Sequence, residues 1–466
     1  MLTPKQLLIQ LQDQLNLDKI NLDHINIDGC DPVLPTPFQV GNLGAAVLGL
    51  VGCASDQLSQ LKTNTPKAQN IQISAFEAAL VQRSHQYLRF IDDETPPLWD
   101  PISGIYRTKD NRYIQLHCNF PNHRDGVLQV LQCDNDKEQV AKTISNNYNA
   151  FELEELLNQK GLCASVVRTH PEWQSHPHHV ATKNLPLIEI IKISDGPKVA
   201  LPQAGDMPLS GIKMLDLSRV IAGPVCGKTL AQHGCDVMRI SSPNLPSIFP
   251  LVVDNGFGKL ATFLDLQTQG DKNKLRDLIK ESDIFLDAYR PGGLDQLGFA
   301  TDELVKLNPG IIQIKLTAYS HLGPWAHRHG YDSLVQSATG IVDAQMQVES
   351  LDKPKHMPSQ ALDYIAGHLA AFGAMEALKR RAQDGGSYLV RLSLVQVANY
   401  LWNLGLVDNS SQIKLPTNQD IPQYLEQVNT AFGRVEHLKP VLKISNTNLQ
   451  DRFPPVPLGT NKPKWN

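Results

Sequence analysis

Short apolar runs alternate with amphipathic segments from Gly211 onward. The runs KMLDLSRV (213–220), CDVMRIS (235–241) and DIFLDAY (283–289) have the length of buried strands, and segments with helical periodicity separate them. Strands that alternate with helices in this way predict a parallel, doubly wound sheet, which binds ligands at the carboxyl ends of its strands. The pattern therefore predicts one large α/β domain over residues 211–405.

The run from Met357 to Leu378 consists almost entirely of small and apolar residues at the spacing of a buried helix. Asp363 stands at its start, and the next charged residue is Glu376. An acid at the start of a helix is favoured by the helix dipole and by free backbone N–H groups, which makes Asp363 a candidate N-cap. The alternative is a carboxylate nucleophile whose small neighbours leave room for a thioester. The pattern itself leaves both interpretations open.

A similar order of segments occurs near the N-terminus. The small-residue run VGNLGAAVLGLVGCASDQL (40–58) precedes the strand-like IQISAFEAAL (71–80), so we predict a partial internal repeat. In this alignment Ser74 corresponds to Ser393 and Gly52 to Gly373. The position of Asp363 falls on Asn42, or on Gly41 if the register slips by one. Neither residue offers a carboxylate, so the first copy is predicted to be chemically silent.

The segment between the two copies reads as a smaller α+β domain over residues 96–205, which contains a hairpin at 104–118. Its run EWQSHPHHVATKNL suggests a metal site at His176, His178 and His179. Pro177 breaks the helix that would align them and no carboxylate or cysteine completes a ligand set, so we predict a surface loop and no metal. The predicted divisions are residues 1–95, a degenerate partial large domain; 96–205; 211–405; and 406–466, a Pro-rich extended tail.

Composition excludes several classes of protein. A net charge of −4 and a pI near 6.4 disfavour a nucleic-acid or anionic-membrane partner. No apolar run approaches the length of a membrane span, and seven cysteines without a CxxC pair are typical of reduced cytoplasmic thiols. GPVCGKT (223–229) has three residues between its glycines where a phosphate loop has four, so a nucleoside triphosphatase is not predicted.

Five blocks then follow one another in order and together resemble one family. They are GIKMLDLSRVIAGPVCGKTLAQHGCDVMRI, KLATFLDL, DIFLDAYRPGGLDQLGF, LTAYSHLGPWAHRHGYDSLVQSATG and ALDYIAGHLAAFGAMEAL. They are similar to the large domain of the family III CoA-transferases, the CaiB/BaiF family. The resemblance implies a Rossmann-like large domain and a small domain, joined by long linkers and usually assembled as interlocked homodimers. We expect either a homodimer here or a pseudo-dimeric monomer, in which one chain supplies both walls of the cleft.

The resemblance also implies an activity. Family members exchange coenzyme A between an acyl-CoA and a small carboxylic acid, and the acid that precedes the small-residue helix forms an aspartyl anhydride and then an aspartyl-CoA thioester. Asp363 matches that position. The identities of the acyl donor and acceptor are not implied. The family pattern places the coenzyme A contacts at Val220, Ala222, Lys259, Tyr289, Arg290, Gly293 and Leu297.

Two further readings stay open: a 2-methylacyl-CoA racemase and a non-catalytic CoA-binding homologue. Related racemases pair the acid with the histidine of a Gly-His-Asp motif, and this chain has Tyr331 in that place, which favours transfer because a tyrosine is a weak base at neutral pH. Ser241, Leu260 and Ala288 depart from the usual Glu, Arg and Asn of the family, which puts standard CoA affinity in doubt.

Overall fold

The computed structural model describes residues 1–19, 22–63 and 67–465, and its largest element is a seven-stranded sheet. The helices and strands of this large domain begin at residue 188 and end at residue 403. We number the elements in chain order, beginning with the N-terminal segment: α1 (Pro4–Gln14), β1 (Ile25–Asp28), α2 (Val40–Thr63), β2 (Ile71–Ser74), α3 (Ala75–Val81), α4 (Ser84–Tyr87) and β3 (Arg89–Phe90).

The small domain follows. Its elements are β4 (Gly104–Arg107), β5 (Tyr113–Leu116), α5 (Pro121–Leu131), α6 (Lys137–Asn147), α7 (Ala150–Gln159), β6 (Ala164–Val166), α8 (His170–Ser175) and α9 (Pro177–Thr182). The predicted hairpin is confirmed, since β4 and β5 pair antiparallel and β6 extends their sheet. A separate hydrophobic core, which includes Ile114, Val140 and Leu153, holds this sheet against its helices.

The large domain contains the remaining elements up to residue 403. They are β7 (Ile188–Ser194), β8 (Lys213–Leu217), α10 (Ala222–Gln232), β9 (Asp236–Ser241), α11 (Phe249–Asp254), β10 (Lys259–Phe263), α12 (Gln269–Lys280), β11 (Ile284–Asp287), α13 (Thr301–Leu307), β12 (Ile312–Thr317), α14 (Asp332–Ala338), α15 (Ile341–Val348), α16 (Ala361–Asp384), β13 (Ser387–Ser393) and α17 (Leu394–Asn403).

The large sheet has the order β10-β9-β8-β11-β12-β13-β7, and only β7 runs antiparallel to its neighbour. The prediction of an α/β domain with a mainly parallel sheet is thus confirmed. The strand order reverses at β8, which opens a crevice beyond the carboxyl ends of β8 and β11.

Three expectations about the chain between and after the domains were wrong. Residues 188–194 lie within the predicted small domain but form β7, because the free edge of β13 accepts an antiparallel strand. The histidine-rich segment forms α8 and α9 rather than a surface loop, since Pro177 occupies the first turn of α9, where its missing N–H costs nothing. His178 is fully buried.

The tail is not extended throughout. It contains β14 (Leu425–Thr430), β15 (Gly433–Leu438) and β16 (Lys443–Ile444). The β14–β15 hairpin pairs with β3, and β16 pairs with β2. The tail therefore completes two small sheets that the N-terminal segment begins.

Two long helices of small residues pack against each other at the centre of the molecule. Each of them, α2 and α16, has 24 residues, and both are largely buried in one hydrophobic core. Helix α16 also packs on α10 with very little clearance at Gly367. A Cβ atom at Gly367 would lie 2.6 Å from the carbonyl oxygen of Ala222 and 2.7 Å from Cβ of Val225.

We predict that Gly367→Ala lowers the free energy of unfolding by about 1–3 kcal/mol, because the backbone of α10 must move to admit the methyl group. Gly270 is the matched control: it also lies in a helix, and a Cβ there meets no atom within 4 Å. Gly270→Ala should raise stability by about 0.4–1 kcal/mol. Urea unfolding measures both, and equal effects would contradict the close packing of α16 on α10.

Candidate active site

A cleft with a volume of about 830 Å³ lies at the carboxyl ends of the strands, between the large domain and the start of α5. Its walls come from the turn after β8, the loop after β9, the turn after β11 and the segment that precedes α14. Asp363 lies in its wall. The cleft thus occupies the crevice that the reversal of strand order creates.

The position of Asp363 depends on another aspartate. Asp363 is the third residue of α16, where backbone N–H groups have no partner within the helix. Its own N–H donates to Oδ2 of Asp332 at 3.1 Å, and the N–H of Leu362 also hydrogen-bonds to that carboxylate. Asp332, not Asp363, therefore caps the helix.

The side chain of Asp363 is left without such partners. Only 7% of the residue is exposed, and within the described part of the chain no donor hydrogen-bonds to its carboxylate. Burial, and then the negative charge of Asp332, raises the pKa of Asp363 well above its usual range. Burial also raises the pKa of Asp332, but three hydrogen bonds from Asp363, Gln336 and Leu362 oppose that rise. When the carboxyl groups of Asp332 and Asp363 share one negative charge, that charge therefore lies more readily on Asp332.

A second, smaller space adjoins Asp363. This small cavity has a volume of about 30 Å³ and is lined by residues of three parts of the chain. His85 comes from the N-terminal segment, Trp99, His117 and Asn119 come from residues 96–205, and Asp363 comes from the large domain. The small domain thus lies against Asp363 of its own chain, as expected for a cleft with both walls in one chain.

Four of the predicted coenzyme contacts line the cleft: Val220, Ala222, Tyr289 and Arg290. Val220 has a φ of 48°, which a β-branched residue rarely adopts, and it turns the chain from β8 into α10. Gly293 and Leu297 are not among the lining residues.

Lys259 is also kept away from the cleft. Its ammonium group is fully buried, lies 2.8 Å from Oδ2 of Asp216 and donates to the carbonyl of Pro224 at 2.6 Å. Ser218 donates a short hydrogen bond to the other oxygen of Asp216. In this geometry Lys259 holds β10, β8 and α10 together and does not face a ligand.

The structure adds residues to the site that the sequence did not single out. Arg219 lines the cleft, where its guanidinium lies 4.4 Å from the ring centroid of Phe120 in the small domain. The ring of Tyr331 stacks on His117 at 3.9 Å and lies between the cleft and the small cavity. Arg219 is the second-last residue of the predicted strand 213–220, so its position near a strand end was a usable signal. His117 carried none.

Comparisons with known proteins bear on the family. Residues 209–434 match the sequence model of CoA-transferase family III, which confirms the resemblance. The acetyl-coenzyme A transferase nodX of Hypoxylon pulicicidum is 30% identical in an alignment 346 residues long that covers 69% of this chain and 58% of nodX. An acyl-CoA transferase of Gibberella moniliformis is 26% identical in an alignment 450 residues long that covers 86% of this chain and 77% of the relative.

A solved relative is the crystal structure of Rv3272 from Mycobacterium tuberculosis. It is 30% identical and covers 42% of this chain and 58% of that chain, with a TM-score of 0.40. This chain thus spans less than two thirds of the length of nodX and of Rv3272. Separately, none of the helices among the described residues is long and apolar enough to cross a membrane.

The ion pair of Lys259 yields a stability prediction. Lys259→Met should lower the free energy of unfolding by about 3–5 kcal/mol, because it leaves the buried carboxylate of Asp216 without its ammonium partner. Lys274→Met is the control, since Lys274 pairs with Asp271 at the same 2.8 Å but is exposed, and it should cost less than about 1 kcal/mol. Urea unfolding of both variants checks this, and similar losses would contradict a structural role for the buried ion pair.

Proposed function

We propose that this protein transfers coenzyme A from an acyl-CoA to a small carboxylic acid, with Asp363 as the nucleophile. The observation that carries the proposal is a buried carboxylate, without hydrogen-bond donors among the described residues, in the wall of a cleft large enough for a coenzyme. The family match over 209–434 supports the same activity. A site that only capped a helix would hold its carboxylate on the backbone, as Asp332 does.

The proposed reaction exchanges activated acyl bonds. A carboxylate oxygen of Asp363 attacks the thioester carbonyl, so a C–O bond forms, the C–S bond breaks and CoA leaves as a thiolate. The thiolate then attacks the aspartyl carbonyl of the anhydride, which releases the donor acid and leaves an aspartyl-CoA thioester. The acceptor carboxylate reverses these steps and regenerates Asp363. Each step exchanges one activated acyl bond for another of similar energy, so no step is strongly unfavourable.

The surroundings of Asp363 suit this role. Burial and the neighbouring charge of Asp332 raise its pKa, and a more basic carboxylate is a stronger nucleophile once ionised. The proposed position of the coenzyme is along Val220, Ala222, Tyr289 and Arg290, where Arg290 is exposed and can pair with a phosphate.

We propose a short acyl group for the donor. The small cavity beside Asp363 has a volume of about 30 Å³, against about 830 Å³ for the cleft. The rings of Trp99, His117 and Tyr331 line it, which leaves little space for a long chain. That nodX is called an acetyl-coenzyme A transferase agrees with this size.

We also propose that the chain is pseudo-dimeric, with a Rossmann-like large domain and a degenerate partial copy in residues 1–95. Asn42 is the third residue of α2, as Asp363 is of α16. The carboxylate of Asp31 accepts the N–H groups of Asn42 and Gly41 at 2.7 and 3.1 Å, as Asp332 does for α16. The first copy therefore keeps the capping aspartate and lacks the nucleophile.

One observation favours the racemase as a second candidate. The imidazole of His117 is buried beside Asp363 in the small cavity, and its Nδ1 has no hydrogen-bond partner. Burial lowers the pKa of His117 to about 3, so the ring is neutral and can accept a proton, but only as a weak base. Transfer remains the better supported function because Tyr331 stacks on this ring and fills the place of the racemase histidine.

We predict that Asp363→Asn lowers the rate of CoA exchange between acetyl-CoA and a panel of short carboxylic acids by about a thousandfold or more. Asp343→Asn is a matched control, because Asp343 is likewise the third residue of its helix and does not line the cleft; it should keep its activity. Exchange that survives in Asp363→Asn would contradict the proposal. Deuterium wash-in at C2 of a 2-methylacyl-CoA, without an acceptor acid, would favour the racemase.

The pH dependence follows from the raised pKa of Asp363. The reactive carboxylate forms only as pH rises through that pKa, so kcat/KM should increase with pH along an acid limb. Asp332→Asn keeps an oxygen for the helix but removes the negative charge, so it lowers the pKa of Asp363 and should shift the acid limb to lower pH. Asp343→Asn should leave the limb in place. An unshifted limb in Asp332→Asn would show that the two carboxylates are not coupled.

A further inference from the structure

Three potential metal ligands meet at the outer wall of the cleft. One ligand atom each from His123, Cys163 and His329 lies within 4.8 Å of the other two. His123 belongs to α5, Cys163 directly precedes β6, and His329 lies in the segment before α14. His123 and Cys163 belong to the small domain, and the docking of the large domain adds His329 to them.

The spacing suits a tetrahedral ion. Zinc bonds of about 2.0–2.1 Å to nitrogen and 2.3 Å to sulfur imply a nitrogen–sulfur separation of about 3.6 Å between two ligands. The sulfur of Cys163 lies 3.5 Å from Nδ1 of His123. His123 and Cys163 therefore stand close to ligating distance without any ion.

A neutral imidazole binds a metal ion through the lone pair of a ring nitrogen. His329 accepts a hydrogen bond from Arg290 at 3.4 Å through Nε2, which must therefore be unprotonated, since Arg only donates. The same ring also hydrogen-bonds to the backbone of Gly161. A backbone partner on the other nitrogen is the usual way to orient a ligating histidine.

We propose that His123, Cys163 and His329 form a binding site for a thiophilic divalent cation such as Zn²⁺ on the wall of the cleft. Three protein ligands leave the fourth position open, as in zinc sites that exchange a ligand. His123 and His329 line the cleft, so this position faces the space proposed for coenzyme A. Cys163 is fully buried and does not line it.

The charges around the site limit its affinity. Arg219 lies near His123, and Arg290 lies near His329. The positive charge of each arginine disfavours the binding of a divalent cation. Ionisation of Cys163 on binding supplies one compensating negative charge, and the exposed Arg290 can turn into solvent. Because the thiolate is the form that binds a metal ion, binding must release the thiol proton of Cys163.

A simpler interpretation is that Cys163 acts as a catalytic nucleophile with His123 as its base. A reactive cysteine needs a lowered pKa and access to the substrate. Cys163 has a raised pKa and is enclosed, so a catalytic thiol is not supported. The other cluster of this kind among the described residues, Glu426, His437 and Asp451, has no sulfur ligand. It thus serves as an internal comparison, because metal there would give no thiolate signal.

Cobalt titration of the whole, reduced chain tests the site directly. Co²⁺ should bind with a thiolate-to-cobalt charge-transfer band, and Zn²⁺ should displace it at one equivalent per chain. Cys163→Ser should abolish the band. His329→Asn, at a partly exposed position where folding is not at stake, should weaken Co²⁺ binding about tenfold or more. Cys133→Ser, which removes a thiol outside the cluster, should leave the titration unchanged.

Absence of the band in the reduced wild type, or a band that survives Cys163→Ser, would overturn the proposal. A second arm rests on the proposed function: Zn²⁺ should inhibit CoA exchange by the wild type and not by Cys163→Ser. Cobalt binding is measured without any substrate. The metal site can therefore be tested even if the protein shows no CoA exchange. Inhibition that is equal in both proteins would place the inhibitory ion elsewhere and refute this assignment.

Discussion

The N–H groups in the first turn of α16 need a partner, and the carboxylate that binds them is Asp332 rather than Asp363. The functions that we propose for the site depend on which of the two aspartates caps the helix. Since Asp332 caps the helix, the side chain of Asp363 stays buried and without a donor among the described residues. A buried carboxylate without hydrogen bonds is costly for folding, and such groups are concentrated at functional sites.

The N-terminal segment has the same type of helix cap without a carboxylate at the third helical position. Asp31 caps α2 through Gly41 and Asn42, and the side chain of Asn42 is fully engaged with the backbone of Asp31 and Leu2 and with Gln39. The capping aspartate is thus compatible with a purely structural helix. What distinguishes α16 is a carboxylate at its third position, next to an open cleft and beneath the small domain.

Asp363 as a candidate and most strands of the parallel sheet could be predicted from the sequence, because both are marked by patterns of neighbouring residues. The sequence could not show which carboxylate caps α16, since Asp332 lies 31 positions earlier. Lys259 shows the same limit: its partner Asp216 is 43 positions away, and a lysine at the start of a strand gives no sign of an internal ion pair. His117 and Cys163 enter the site or its rim only through domain docking, which periodicity does not reveal.

The most direct test of the account is to identify the covalent intermediate. The protein is incubated with acyl-CoA, reduced with borohydride and digested, and the modified residue is located by peptide mass spectrometry. Reduction of an aspartyl anhydride or thioester converts the aspartate into the corresponding alcohol, and the account predicts this change at Asp363 alone and only when acyl-CoA is present. Turnover with an unmodified Asp363, or with the label on another residue, would contradict it.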